Sequence, residues 1–227
     1  MAVSGPGCPT YLHILTALGC EPVRIETSDE TRHALTGEAL LAAHRKTPLK
    51  GVLVASPANP TGTMMSREAL NDLMSAAEAA DIRFISDEIY HGLDYALPAV
   101  SAAELSSRAI VINSFSKYFC MTGWRIGWMV LPAELVRPIE RLQQNLSISV
   151  PTLSQIAAEA AFEGAEEMEA IKRGYQENRR ILIEGLPKAG LTNFLPADDA
   201  FYLYADVSDF TSASLEFANS SREKAHL

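Results

Sequence analysis

The chain is poor in cysteine, in basic clusters and in long apolar runs. Its three cysteines, Cys8, Cys20 and Cys120, are scattered and odd in number. None shows the Cys-x-x-Cys or Cys/His spacing of a zinc site, and three scattered thiols do not make a disulfide framework. A reducing compartment fits that usage, so a cytoplasmic protein is expected. Lysine and arginine total 19 against 28 acidic residues, a net charge of −9. An acidic chain without a Lys/Arg block is a poor partner for nucleic acid or an anionic membrane surface. No apolar run reaches the ~20 residues of a membrane span. Residues 11–18 are mildly apolar, but the run is short, broken by His13 and without a basic leader. It reads as a core-facing helix rather than a signal peptide. Internal repeats and low-complexity segments are also missing. The remainder is ordinary globular composition, 48% hydrophobic and 21% charged over 227 residues. That is enough for one large domain, or one domain and part of another.

Hydrophobic patterning gives strands alternating with helices. Helices are predicted over 9–18, 37–45, 66–80 and 132–145, with Ser66 as an N-cap and Pro132 opening the last. Buried strands are predicted at 51–55, 82–86, 109–113 and 126–131, and a short one at 23–26. Residues 151–162 and 166–186 read as helices or one long bent element, and 200–207 alternates as a strand does. The ending, 214–227, fits no single pattern. Alternating strands and helices imply an α/β fold with a mostly parallel sheet. The change of rhythm beyond residue 162 suggests a second, smaller unit.

In such a sheet, ligands sit outside the carboxyl ends of the strands. Three polar clusters fall there: Asn59 after the strand at 51–55, Asp87–Tyr90 after 82–86, and Ser114–Lys117 after 109–113. Arg125 follows Lys117 by eight residues, between Gly123 and Gly127. A desolvated lysine can form a Schiff base with a carbonyl. Arginine offers a fork of donors that suits a phosphate, and Ser114 can add a hydroxyl. A buried aspartate can keep a heteroaromatic nitrogen protonated. Tyr90 and Asn59 can hydrogen-bond a phenolic oxygen. An aldehyde, a phosphate, a pyridine nitrogen and a phenolic oxygen together describe pyridoxal 5′-phosphate.

The segments Ser56-Pro57-Ala58-Asn59-Pro60-Thr61-Gly62, Ser86-Asp87-Glu88-Ile89-Tyr90, Ser114-Phe115-Ser116-Lys117 and Gly123-Trp124-Arg125-Ile126-Gly127 together resemble the class I/II aminotransferase family, pyridoxal-phosphate enzymes of fold type I. Their order and spacing match: 28 residues from Asn59 to Asp87, 30 on to Lys117, eight on to Arg125. Any one motif is weak; four in register are specific. The resemblance implies a three-layer, mostly parallel sheet with helices on both faces, plus part of a small C-terminal α+β domain. Residues 1–150 would be the cofactor-binding large domain, and 151–227 connecting helices with an incomplete small domain. It implies Lys117 as the catalytic lysine that binds the cofactor and later moves the Cα proton. Asp87 would face the pyridine nitrogen, Tyr90 and Asn59 the phenolic oxygen, and Ser114 and Arg125 the phosphate. The substrates would be an amino acid and a 2-oxo acid, and the assembly a homodimer.

The sequence departs from the family's pattern in three places. The chain looks shortened at both ends. Cys8 stands at the position where many relatives carry an aromatic residue that stacks on the cofactor. No counterpart of the substrate-carboxylate arginine follows Tyr204; Arg222 lacks a strand context. Two other readings stay open: a carbon–sulfur lyase or aminocyclopropane-carboxylate-synthase-like enzyme of the same fold type, and a non-catalytic cofactor-binding fragment. Blander roles are assigned elsewhere. His91 reads as a satisfied loop histidine, Trp124 and Trp128 as core residues around the lysine loop, and the charges of 166–180 as a solvated helix face.

Overall fold

The computed structural model describes residues 1–224, built around a six-stranded sheet of order β2-β1-β3-β4-β5-β6. The strands are β1 (Ala2–Gly5), β2 (Val23–Glu26), β3 (Gly51–Ala55), β4 (Arg83–Asp87), β5 (Ile110–Ser114) and β6 (Gly127–Val130). The first five are parallel, and β6 is antiparallel to β5. The chain moves from β1 outward to β2, then crosses to β3 on the other side of β1. That reversal opens a crevice at the carboxyl edge, where α/β sheets bind ligands.

Local chemistry sets the helix starts. Those before β6 are α1 (Pro9–Ala17), α2 (Gly37–Lys46), α3 (Arg67–Ala79) and the short α4 (Ala102–Leu105). The Thr36 and Ser66 hydroxyls each accept an N–H of the first turn at 3.2 Å, from Ala39 and Ala69. Ser101 and Glu104 form a reciprocal capping box on α4. Along α3, Leu70, Leu73, Met74 and Ala77 recur at helical spacing and are buried. They meet Val52, Val54, Phe84 and Val111, the alternate residues of one sheet face. On the opposite face Leu53 and Ile85 are half-buried and Ile112 is 38% exposed.

After the sheet come α5 (Ala133–Leu146), α6 (Thr152–Ala161), α7 (Ala165–Gly185) and α8 (Ser214–Lys224). The stretch 151–186 is thus two helices, parted at Phe162–Gly164. Arg180 on α7 pairs with Glu177 and Glu184 at 2.6 and 2.8 Å, the solvated charge ladder expected of that face. None of the described helices is long and apolar enough to cross a membrane.

Four local expectations change. β1 is an additional strand: with only two apolar residues it shows no pattern, and its state comes from pairing with β2 and β3 on either side. Residues 200–207 form no strand. Only the bridge of Phe194 to Ala205 forms, flanked by Leu195 N–H to Tyr204 O at 3.0 Å and Asp206 N–H to Asn193 O at 2.8 Å. Trp124 and Trp128 are 42% and 36% exposed rather than core: Trp128 lies on β6, an edge strand among the described residues, and Trp124 on the turn that precedes it. The ending that fits no pattern is helical through Lys224, and 225–227 lie outside the described residues.

Candidate active site

The carboxyl ends of β3, β4 and β5 bring the predicted residues to one edge. Asp87 is the last residue of β4, in register with Ala55, and its carbonyl accepts Ser56 N–H at 3.3 Å. The loop that begins at Ser56 closes on itself through Ala58 N–H to Thr63 O at 2.9 Å and Gly62 N–H to Ala58 O at 2.8 Å. Asn59 lies half-buried on this loop.

Two donors orient the Asp87 carboxylate. Oδ1 accepts Ile89 N–H at 3.1 Å, and Oδ2 accepts the Tyr11 hydroxyl at 2.5 Å. Burial, then the charge of Asp87, pushes the Tyr11 hydroxyl well above the ordinary phenol range. Tyr11 therefore stays protonated and keeps donating. Cys8, at the start of α1, lies near both Tyr11 and Tyr90.

Tyr90 sits in the turn after β4 and is only 4% exposed. Its hydroxyl is 2.6 Å from that of Tyr202. Burial raises the Tyr90 pKa above the phenol range. The Tyr90 ring lies under Lys117, with Nζ 5.7 Å from its centroid; the Phe201 ring is 5.6 Å from the same nitrogen. Both distances suit cation–π contact. Among the described residues no carboxylate forms an ion pair with Lys117.

Lys117 follows a tight turn at the end of β5. Ser114 Oγ donates to Ser116 Oγ at 2.8 Å and lies 3.1 Å from Ile126 O; it accepts Ser116 N–H at 3.0 Å. Because β6 is antiparallel, Ser114 pairs with Gly127, and Arg125 just ahead of β6 arrives at the same edge. A Cβ on Gly127 would come 2.5 Å from Asn113 O, so only glycine allows the two strands to approach here. Arg125 has a left-handed backbone, φ 53°, and its Nη1 donates to Thr122 O at 2.9 Å. Such a backbone costs a non-glycine residue about 1–3 kcal/mol. Arg125 is exposed.

His91 is a structural residue. Nδ1 is 3.4 Å from the buried Glu88 carboxylate and Nε2 is 3.0 Å from Ser56 O, which ties the ends of β3 and β4 together. Arg222 lies in the last turn of α8.

The sequence reading gives no role to Tyr11, Phe201 and Tyr202. Tyr11 carried one available signal, its place just beyond a strand end, but that strand is the patternless β1. Phe201 and Tyr202 arrive on segment 197–203, which is fastened at several points. Arg179 donates to Ala197 O, and Arg32 forms an ion pair with Asp198. Ala200 N–H reaches Leu93 O at 2.8 Å, and Asp199 N–H reaches Gly62 O at 3.3 Å. Asp199 is 1% exposed; Oδ1 accepts Tyr95 N–H at 2.5 Å, while Oδ2 has no partner. Burial pushes its carboxyl up to about 6, and the charges of Asp198 and Asp94 add to the rise.

Comparison with known proteins accords with this arrangement. A family profile described as aminotransferase class I and II matches residues 1–226. The valine–pyruvate aminotransferase of Mycobacterium tuberculosis is 49% identical over 223 residues, which are 96% of this chain and 57% of that protein. A crystal structure of an aminotransferase from the same organism superposes with a TM-score of 0.93 at 48% identity, covering 98% of this chain and 58% of that one. The aspartate aminotransferase of Thermus thermophilus with maleate gives a TM-score of 0.90 at 29% identity, covering 96% and 58%. The chain thus spans little more than half the length of the relatives it matches. A sheet with its polar clusters at one edge, matched along nearly the whole sequence, places the chain in the class I and II aminotransferases.

Proposed function

We propose that the protein is a pyridoxal-phosphate-dependent aminotransferase that moves an amino group from an amino acid to a 2-oxo acid. The observation that carries this reading is the setting of Lys117: a lysine without an ion-pair partner among the described residues, against the rings of Tyr90 and Phe201, at the sheet edge where Tyr11 holds the Asp87 carboxylate at 2.5 Å. The donor set fits the cofactor. Lys117 offers the amine for the aldehyde, Asp87 a carboxylate for the pyridine nitrogen, Tyr90 and Asn59 donors for the phenolic oxygen, and Ser114 with Arg125 donors for the phosphate. When bound, the cofactor supplies an electron sink for the bonds at the substrate's Cα. Lys117 Nζ carries the Cα proton as general acid and base. Tyr11 and the Ile89 amide keep Asp87 oriented, and the Phe201 ring packs 5.6 Å from Lys117 Nζ.

The same reading assigns 1–150 to the large domain and 151–227 to connecting helices and part of a small domain, in a cytoplasmic protein. A homodimer is supported by the apolar side chains left exposed on α5 and α6, among them Leu146 and Leu153 at 75% and 69%. Valine and pyruvate are the first substrates to try, since the relative at 49% identity is named for them.

The test is spectroscopic. Purified protein is mixed with pyridoxal phosphate, and the absorbance of lysine-bound cofactor is followed, with Lys117→Ala as control. Valine should then convert the bound cofactor to the amine form. Identical spectra for wild type and Lys117→Ala would sink the proposal. Release of pyruvate, ammonia and a thiol from an S-substituted cysteine, without that conversion, would favour a carbon–sulfur lyase.

A further inference from the structure

We propose that Tyr202 is a positioning residue that sets the direction of the Tyr90 O–H, an inference that rests on reading Tyr90 as the donor to the cofactor's phenolic oxygen. A phenol has a single proton to give. At 2.6 Å between the two oxygens, one tyrosine donates and the other accepts. If Tyr90 donated to Tyr202, it could only accept from a ligand, and a phenolate-type oxygen has nothing to give. If Tyr202 donates, the Tyr90 proton is released toward the crevice. Among the described residues the Tyr202 hydroxyl has no other hydrogen-bond partner, so its proton is free for this use.

The packing holds the pair in place. The rings of Tyr90 and Tyr202 meet edge to face at 5.5 Å, and Phe201 meets Tyr90 at 5.5 Å from another side. Tyr202 is 112 residues from Tyr90 in sequence and depends on the fastened segment 197–203 for its position. The relay thereby makes the site sensitive to whether that segment is docked. Among the described residues the other titratable groups facing Tyr90 are Tyr11, Asp87, Cys8 and Lys117.

The test is a pH titration of the absorbance of lysine-bound cofactor in wild type, Tyr90→Phe, Tyr202→Phe and the double variant. A donor to the phenolic oxygen favours the form in which the bonded Lys117 nitrogen is unprotonated, because that oxygen then bears uncompensated charge. Loss of the donor therefore raises the apparent pKa. Tyr90→Phe should raise it by about one unit, the equivalent of one charge-assisted hydrogen bond. Tyr202→Phe keeps the ring and its packing, and should raise it by about half as much. In the Tyr90→Phe background it should add nothing, because the relay is already cut. No change on Tyr202→Phe, or an equal change in both backgrounds, overturns the proposal while leaving the cofactor reading intact. Absence of the lysine-bound band in wild type removes the cofactor reading, and the relay with it.

Discussion

Replacing Asp199 with asparagine should change how stability depends on pH. The Asp199 carboxyl is enclosed where segment 197–203 meets the loop after β4, with one oxygen on Tyr95 N–H and the other unpartnered. Burial, reinforced by Asp198 and Asp94, lifts it to about 6. The folded protein therefore holds this proton more tightly than the unfolded chain. Its contribution to stability is fully present below about pH 4 and is lost as pH rises through about 6. A rise from the ordinary aspartate value to about 6 corresponds to about 3 kcal/mol at most. Water reaching the site and the neighbouring amides screen part of it, so about 1–3 kcal/mol is expected. Asparagine stays neutral and keeps an acceptor for Tyr95. Urea denaturation of both proteins at pH 4, 5, 6 and 7.5 cancels the titration of every other carboxyl. The variant should gain on the wild type by about 1–3 kcal/mol between pH 4 and 7.5. A difference flat to within about 0.5 kcal/mol, or one that grows the other way, would refute the reasoning.

Two further substitutions probe the same framework. Gly62 has φ 68°, and a Cβ there would stand 2.9 Å from Tyr202 O, so Gly62→Ala should loosen segment 197–203 at a cost of about 1–3 kcal/mol. Hydrogen exchange at the Ala200 amide, which bonds Leu93 O, should quicken in that variant while β3 and β4 stay protected. Tyr11→Phe strips the donor from Asp87 Oδ2 and should lower stability by about 1.5–3 kcal/mol in denaturant titrations, the range for a hydrogen bond to a charged group. A loss below about 0.5 kcal/mol would mean that water replaces the hydroxyl at no cost.

Much of the site is legible in the sequence because each residue follows an apolar strand at short range. Asp87 ends β4, Ser114 ends β5, and Lys117 is three residues on, so strand prediction alone puts them on one edge. Arg125 is different. Its arrival at that edge depends on β6 running antiparallel to β5, and an apolar run of four residues carries no direction. Tyr202 is less visible still. The alternation of 200–207 predicts a ladder, but the contact that matters is a hydroxyl pair across 112 residues. Tyr11 was hidden for the same reason as β1: four residues with two apolar ones take their strand state from neighbours on both sides. The exposure of Trp128 follows from which strand lies at the edge, a property of the whole sheet order rather than of that tryptophan's surroundings in sequence.

The central claim is that Lys117 is the residue that takes the cofactor aldehyde. Borohydride reduction of the protein mixed with pyridoxal phosphate, followed by peptide mass mapping, reads it directly. The account predicts the reduced cofactor on Lys117, at one equivalent per chain, and its loss in Lys117→Ala. A label spread over surface lysines such as Lys50, or one that persists in Lys117→Ala, would contradict it.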